Sequence, residues 1–308
     1  MTDELNDSLR NRAQGVLLGL ACGDTLGRPV EFKSSTQIAA EHGTVTKMLG
    51  NGTHRQPAGT ITDDTEMALC IARSLDESGE FDPTDIADRF LGWYQSGPFD
   101  IGLMTADAVG QLDTGVPWDE AGHTVWEQRS EGQNAGNGSV MRCCPHALAY
   151  HDDPDTLISV SQDSSAITHY DPRCQYGCVI LNLTIANLLH DREQPLESAL
   201  ERVESEAPDE LLTALTGLSD VSDADLETNG YVVTTLQTSL YHGLTADSTR
   251  AAIIDAVNLG GDTDTIGAVT GTIAGARHGP ESLPTEWLDV IDERTELETL
   301  AERLAEGV

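Results

Sequence analysis

Two short segments, far apart in the chain, each carry a run of acidic and hydroxyl side chains at the start of a predicted helix. The first reads GTITDDTEM from residue 59 to 67, and the second reads NLGGDTDTIG from 258 to 267. The oxygen donors in the two segments are Thr62, Asp63, Asp64, Asp262, Asp264 and Thr265. N-capping explains a single Thr or Asp at a helix start. Two acids and two threonines after a Gly–Gly pair exceed that need, so we expect the two segments to converge on one site.

Carboxylate and hydroxyl oxygens are hard ligands, which select Mg²⁺ or Mn²⁺, with Ca²⁺ less favoured, over Zn²⁺. Two ions about 3.5–4 Å apart would neutralise carboxylates that otherwise repel each other. The 12-residue spacing of an EF-hand is missing. The six cysteines match neither a zinc ribbon nor a disulfide framework, so we expect reduced, partly buried thiols rather than a zinc site at Cys143, Cys144 and His146.

Three further segments carry weaker signals. The glycine-rich NAGNGSVMR at 134–142 offers backbone N–H groups to phosphate, although a turn alone explains it, and it lacks the lysine of a P-loop. The segment SSAITHYD at 164–171 contains His169, and a lone histidine is more often a satisfied core or surface group. The segment GLACGDTLGRPVEF at 19–32 ends a helix and delivers Glu31.

The apolar spacing predicts an all-α fold in a single domain, 1–308, with its core at about 10–306. Helices are predicted over 10–27, 62–76, 86–94, 104–112, 157–168, 175–189, 196–206, 211–218, 231–242, 248–258, 265–276 and 288–304. One short hairpin is indicated at 44–49. Gly267, Gly271 and Gly275 lie four residues apart, which predicts a close helix–helix contact.

The chain of 308 residues has 52 acidic and 17 basic residues and a formal net charge of −35. This charge excludes generic nucleic-acid binding. Only two residues are lysines, and the acids are scattered, which favours adaptation to a salt-rich cytoplasm over an acidic protein that binds cationic partners. No signal peptide or membrane-spanning stretch is expected, so the protein is expected to be cytoplasmic, without a membrane partner.

The five segments together resemble the ADP-ribosylglycohydrolase family. The resemblance rests on G-D-x-x-G…E, then P-x-G-x-x-T-D-D-T, N-G-S-x-M-R, S-x-x-T-H and G-G-D-T-D-T-x-G in that order, from about Gln14 to Gly279. It implies a compact all-α protein with a dinuclear Mg²⁺ or Mn²⁺ centre in a cleft. It also implies an enzyme that releases ADP-ribose from modified proteins or small adducts.

The resemblance assigns roles to particular residues. It makes Thr62, Asp63, Asp64, Asp262, Asp264 and Thr265 the metal ligands. It places Glu31 over the centre as an acidic residue that takes part in catalysis, and Asp100 near the leaving group as in arginine-directed members. It assigns the substrate's phosphates, ribose and adenosine to Asn137, Gly138, Ser139, His169 and Tyr231.

The implied reaction passes through an oxocarbenium-like transition state at the ribose carbon. The sequence leaves open whether Glu31, Asp63 or Asp100 transfers the proton, whether the metal is Mg²⁺ or Mn²⁺, which linkage is cleaved and which oligomeric state is used. Two alternatives also stay open. One is a two-metal phosphohydrolase, and the other is a non-catalytic protein that binds ADP-ribose.

Overall fold

The computed structural model describes residues 2–130 and 132–307, with side chains described from residue 7 onward. Over these ranges it contains sixteen α-helices, four short 3₁₀ helices, isolated β-bridges and loops but no strand, which confirms the all-α prediction. The helices are α1 (Thr2–Gly27), α2 (Ser35–His42), α3 (Asp63–Ser78), α4 (Pro83–Gln95), α5 (Leu103–Asp113), α6 (Trp118–Gln128), α7 (Cys144–Ala149), α8 (Pro154–Ala166), α9 (Pro172–Leu189), α10 (Pro195–Val203), α11 (Asp209–Thr216), α12 (Val232–Thr245), α13 (Thr249–Asn258), α14 (Thr263–His278), α15 (Thr285–Leu288) and α16 (Arg294–Ala305).

Helices α1 and α14 form the central pair of the fold, and glycines line their contact. A Cβ atom built at Gly271 would lie 2.0 Å from the carbonyl oxygen of Gly19, and one at Gly275 would lie 1.8 Å from that of Gly15. No side chain fits in that space, so the two backbones touch directly. The close contact predicted from the glycine spacing is confirmed, and it compensates for the poor helix propensity of glycine.

The other helices surround this pair. Helices α12, α13 and α9 pack on α14, whereas α16 and α3 pack on α1. The buried apolar side chains form one continuous cluster. The N-terminus of α3, the N-terminus of α14 and the chain leaving α1 meet at one end of the central pair, and this end carries the candidate site.

The hairpin indicated at 44–49 does not form, and the prediction there is wrong. The Asn258 side chain takes the place of a partner strand: its Oδ1 accepts from the Val45 N–H at 2.8 Å, and its Nδ2 donates to the Val45 carbonyl at 3.0 Å. The Trp287 indole donates to the Thr46 carbonyl at 3.2 Å. Because side chains from distant helices satisfy this backbone, no second strand is needed.

The predicted C-terminal helix at 288–304 is two helices, α15 and α16, separated at 289–293. Glu293, with φ of 60°, ends the break immediately before α16. Helices α2, α6 and α7 were not predicted. A local signal for α2 exists, since Ser34 and Gln37 form a capping box. None of the helices described combines the length and apolarity that crossing a membrane requires.

Candidate active site

The first acidic segment begins α3, and a buried carboxylate from α1 holds it in place. Thr62 is the N-cap residue of α3. Asp24 accepts from the Thr62 N–H at 3.0 Å, from the Thr62 hydroxyl at 3.0 Å and from the Thr65 hydroxyl at 2.5 Å. Asp24 is fully buried. Its bonds fix the direction in which Asp63 and Asp64 leave the helix start.

The second acidic segment begins α14 and meets the first. The Thr265 hydroxyl donates to Asp64 Oδ2 at 3.5 Å, across 201 positions of sequence. Both glycines of the preceding turn have φ of 82°. A Cβ at Gly261 would lie 2.0 Å from the Thr228 carbonyl oxygen, so only glycine fits there. The expected convergence of the two segments is present in the structure.

Glu31, His54 and Asp100 form a third group beside the two acidic segments. His54 Nε2 lies 2.5 Å from a Glu31 oxygen and 3.4 Å from an Asp100 oxygen. One ligand atom each from these three residues and Asp264 lies within 4.8 Å of the others. The loop after Glu31 is tied to the glycine turn, since the Phe32 N–H donates to the Gly261 carbonyl at 2.8 Å.

The carboxyl groups destabilise one another's charged forms. Burial, and next the charge of Asp100, raise the pKa of Glu31 to about 8. Burial and then Glu31 raise the pKa of Asp264 well above its usual value. Burial and then the charge of Asp24 also raise the pKa of Asp64 well above its usual value. Buried like charges at this density call for a positive counter-charge.

The residues present fit divalent cations. Asp64 Oδ1 is buried and has no hydrogen-bond partner, although a buried carboxylate oxygen normally has one. It belongs to a set of carboxylate and hydroxyl oxygens, the ligand type that Mg²⁺ and Mn²⁺ take. Arg28 does not neutralise the group by an ion pair, because its guanidinium donates to the backbone carbonyls of Thr60, Asn51 and Pro57.

The glycine-rich segment lines the same cleft as the acids. Asn137 Nδ2 donates to Asp262 Oδ2 at 2.7 Å, which joins this segment to the start of α14. Gly138 lines the cleft, whereas Ser139 lies beneath it and accepts a hydrogen bond from Ser165. Tyr231 bridges to Gly136 through its backbone and is not among the residues that line the cleft.

His169 lines the cleft under the glycine-rich segment, and its tautomer follows from its neighbours. Arg142 Nη2 donates to the Thr168 hydroxyl oxygen at 2.7 Å, and the Thr168 hydroxyl lies 2.8 Å from His169 Nδ1. The Thr168 hydroxyl therefore donates a hydrogen bond to Nδ1. Nδ1 is then the acceptor of the neutral ring, and the ring's proton is on Nε2. Burial, followed by Arg142, lowers the pKa of His169 to about 3, so the ring is a neutral donor.

The cleft has a volume of about 640 Å³. It brings together most of the side chains that the sequence singled out. Those that line it are Glu31, Asp63, Asp64, Asp100, Asn137, Gly138, His169, Asp262, Asp264 and Thr265. Thr62 and Ser139 are buried behind this lining, at 0% and 1% exposure.

Sequence reasoning gave no role to Asp24 or His54. Asp24 stands in the quoted motif, and the signal that could have revealed it is that it is the lone charged residue of GVLLGLACGDTLG at 15–27. His54 lies in a loop, and no spacing marks it. Cys143, Cys144 and His146 are all buried, and the two cysteines are free thiols.

The fold and the cleft define an all-α protein with an acid-lined centre between the N-termini of two helices. The family model described as ADP-ribosylglycohydrolase matches residues 5–308. An ADP-ribosyl-[dinitrogen reductase] glycohydrolase from Rhodospirillum rubrum is 35% identical over 293 residues, which is 94% of each chain. An ADP-ribosylarginine hydrolase, Tri1, from Serratia proteamaculans (strain 568) is 31% identical over 303 residues, 96% of this chain and 79% of the relative.

Among solved structures, an ADP-ribosylglycohydrolase-related protein complex superposes with a TM-score of 0.83 at 34% identity. The match covers 97% of this chain and 99% of that one. The chain belongs to the ADP-ribosylglycohydrolase family. It is an enzyme that hydrolyses glycosyl bonds.

Proposed function

We propose that the enzyme cleaves the bond between ADP-ribose and an arginine side chain of a modified protein, with two Mg²⁺ or Mn²⁺ ions in the cleft. The observation that carries the proposal is the contact between Asp64 and Thr265, which joins the starts of α3 and α14 in one cleft. The glycine-rich loop, to which we assign the substrate's phosphates, is joined to the same cleft by the hydrogen bond from Asn137 to Asp262. Divalent ions held by the acids would bind the sugar hydroxyls, and the loop would bind the phosphates, so the cleft suits an anionic sugar nucleotide.

The proposed ligands are the side chains at the two helix starts, with Thr62, Asp63 and Asp64 on one and Asp262, Asp264 and Thr265 on the other. When bound, such ions supply Lewis acidity, which orients ribose hydroxyls and makes water a usable nucleophile near neutral pH. The partnerless Asp64 Oδ1 supports this assignment. Asp24 acts as a positioning residue, since its bonds hold Thr62 and Thr65.

The protein's own groups handle the proton and the substrate. Water adds to the anomeric carbon, the bond to the leaving nitrogen breaks, and that nitrogen receives a proton. Glu31 is our candidate for moving the proton, because it is 5% exposed, lines the cleft and shares a hydrogen bond with His54. Gly138 and His169, which line the same cleft, are our candidates for donating to the phosphate oxygens.

The arginine linkage is supported by Asp100, a carboxyl group on the cleft wall. A carboxylate pairs with guanidinium through charge-assisted hydrogen bonds. Two curated relatives, at 31% and 32% identity, are named ADP-ribosylarginine hydrolase. We also propose a reducing, cytoplasmic location, which the six buried free thiols support.

The test is incubation with ADP-ribosylated arginine, ADP-ribosylated serine and acetylated ADP-ribose, each with chelator and with Mg²⁺ or Mn²⁺ restored. We expect free ADP-ribose from the arginine substrate in the presence of metal. AMP or inorganic phosphate would instead indicate a phosphohydrolase. Binding of ADP-ribose without turnover of any substrate would indicate a binding protein.

The variant Asp264→Ala tests the metal assignment by a measurement independent of activity. Calorimetric titration with Mn²⁺ should show binding to the wild type and a loss of that binding in Asp264→Ala, together with loss of hydrolysis. Glu66→Gln is a matched control, because Glu66 lies on α3 but bonds to Trp93 outside the cleft. Full hydrolysis by protein shown to be metal-free would refute the two-ion proposal.

A further inference from the structure

A second group of ligand-type side chains lies where three helices end, and none of its residues lines the catalytic cleft. His151 follows the C-terminal end of α7, and His190 is the C-cap residue of α9. The carbonyl of Ala305, the last residue of α16, accepts a hydrogen bond from His151. Asp152 completes the group.

The hydrogen bond to α16 decides which nitrogen of His151 is available. His151 Nε2 lies 3.1 Å from the Ala305 carbonyl oxygen, which can only accept, so Nε2 carries the proton. In the neutral ring, Nδ1 then has a free lone pair. A carbonyl that fixes the tautomer of a histidine in this way is the usual outer partner of a metal-binding imidazole.

Three potential ligand atoms face one another. His151 Nδ1 lies 3.0 Å from His190 Nε2 and 3.5 Å from Asp152 Oδ1, and His190 Nε2 lies 3.1 Å from the same Asp152 oxygen. Without an ion, His151 Nδ1 and the Asp152 oxygen must share, as hydrogen-bond acceptors, the single proton that His190 Nε2 can donate. Ligands at ~2.0–2.1 Å from a tetrahedral zinc ion are ~3.3 Å apart, which lies within the observed separations.

We propose that His151, Asp152 and His190 form a peripheral binding site for a Zn²⁺-type divalent cation, with the remaining position open to water. Two imidazoles and one carboxylate suit Zn²⁺, whereas the all-oxygen donors of the catalytic cleft suit Mg²⁺ or Mn²⁺. The two sites therefore select different metals.

Charge and access agree with a bound cation. The group lies at the C-terminal ends of α9, where His190 is the C-cap residue, and of α16, where the Ala305 carbonyl accepts from His151, and helix C-termini favour positive charge. The His151 side chain is 7% exposed and the Asp152 side chain is 80% exposed, so the site has a buried floor and an open entrance. An ion there would fasten the end of α16, through His151, to the ends of α7 and α9.

The experiment measures Zn²⁺ binding to the full chain in molar KCl with saturating Mg²⁺, which occupies the cleft and screens the acidic surface. Dialysis against buffered Zn²⁺ followed by metal analysis should give one Zn²⁺ per chain. The melting temperature should rise with Zn²⁺ concentration, as it does for any ligand of the folded state. The absorption of Co²⁺ in place of Zn²⁺ should show a site of low coordination number.

The variants separate this site from other binding. His190→Asn and Asp152→Asn alter exposed or half-exposed side chains, and each should weaken Zn²⁺ binding by about tenfold or more. His123→Asn, which removes an exposed histidine beside Glu127, should leave binding unchanged. Asp264→Ala should keep this Zn²⁺ while losing the cleft metal. No Zn²⁺ on the wild type, or equal Zn²⁺ on His190→Asn, would overturn the proposal.

Discussion

Glu31 is the residue on which the proposed chemistry depends most. It lies in the cleft beside Asp264 and His54, with a pKa that burial and then Asp100 raise. Glu31→Gln keeps the shape of the side chain but removes the base. We expect turnover to fall by about 10²–10⁴-fold, while ADP-ribose affinity changes much less because the phosphate-side contacts remain.

Turnover and ADP-ribose affinity are to be measured on the same Glu31→Gln preparation. Glu66→Gln again serves as the control and should keep near-wild-type turnover. If Glu31→Gln also kept near-wild-type turnover, Glu31 would be removed from the catalytic residues and would be only the end of a helix.

His146 gives the molecule a measurable sensitivity to acid. Burial, followed by the charge of Arg142, lowers the pKa of His146 to about 3, and both ring nitrogens lack partners. The unfolded chain therefore binds a proton near pH 6.5 that the folded chain refuses until about pH 3. Above pH 6.5 the ring is neutral in both the folded and the unfolded chain, and the folded state has its full stability. As the pH falls from 6.5 toward about 3, only the unfolded chain takes up the proton, so stability is lost progressively.

Replacing this ring by an apolar side chain isolates the effect. His146→Leu removes the titrating group, so the difference in unfolding free energy between wild type and variant should change by up to about 1.4 kcal/mol per pH unit below pH 6.5. Urea unfolding at several pH values between 7.5 and 4.5 measures it. Parallel curves for the two proteins would show that His146 takes up its proton equally in the folded and unfolded chains, which would contradict the lowered pKa.

At the scale of secondary-structure elements, the contact between α1 and α14 is the least tolerant part of the fold. Gly271→Ala would place a methyl group 2.0 Å from the Gly19 carbonyl oxygen, which is backbone and cannot turn aside. The two helices would have to separate, and we expect a loss of about 3 kcal/mol of stability. Thermal and urea unfolding measure it.

Gly110→Ala is the matched control for this contact. Gly110 also lies within a helix, α5, but an added Cβ meets nothing within 4 Å. Because alanine is the better helix former, this variant should be more stable by about 0.5–1 kcal/mol. A Gly271→Ala protein as stable as wild type would contradict direct backbone contact between the helices.

At the scale of the whole molecule, the charge of −35 dominates. Repulsion among scattered acids destabilises the folded state in dilute buffer, and salt screens it. We expect the melting temperature to rise from low toward molar KCl and then to level off, once the Debye length nears ~3 Å. A flat or falling melting temperature across this range would contradict the adaptation to salt that the sequence predicts.

Surface neutralisation separates screening from specific ion binding. Glu201, Glu204 and Asp209 are exposed on and after α10. The triple variant Glu201→Gln, Glu204→Gln and Asp209→Asn should be less dependent on KCl than wild type, because fewer charges repel. An unchanged salt dependence would point to bound ions rather than to general repulsion.

Features that depend on neighbours in the chain were predictable from the sequence. Helix periodicity, the oxygen donors after Gly260–Gly261, and the glycine spacing of α14 each act within a few residues, so the all-α class and the two acidic segments could be identified. Net charge is a sum over the chain and requires no structure at all.

Tertiary packing decided everything that joins distant positions. The contact from Thr265 to Asp64 spans 201 positions, Asp24 reaches Thr65 across 41, and His54 reaches Glu31 across 23. No local pattern specifies such pairs, because they form only when α1, α3 and α14 pack together. For the same reason an asparagine side chain replaced the expected strand at Val45. The residues that could bind metal were identified from the sequence, but the residues that they contact are determined by the packing of the helices.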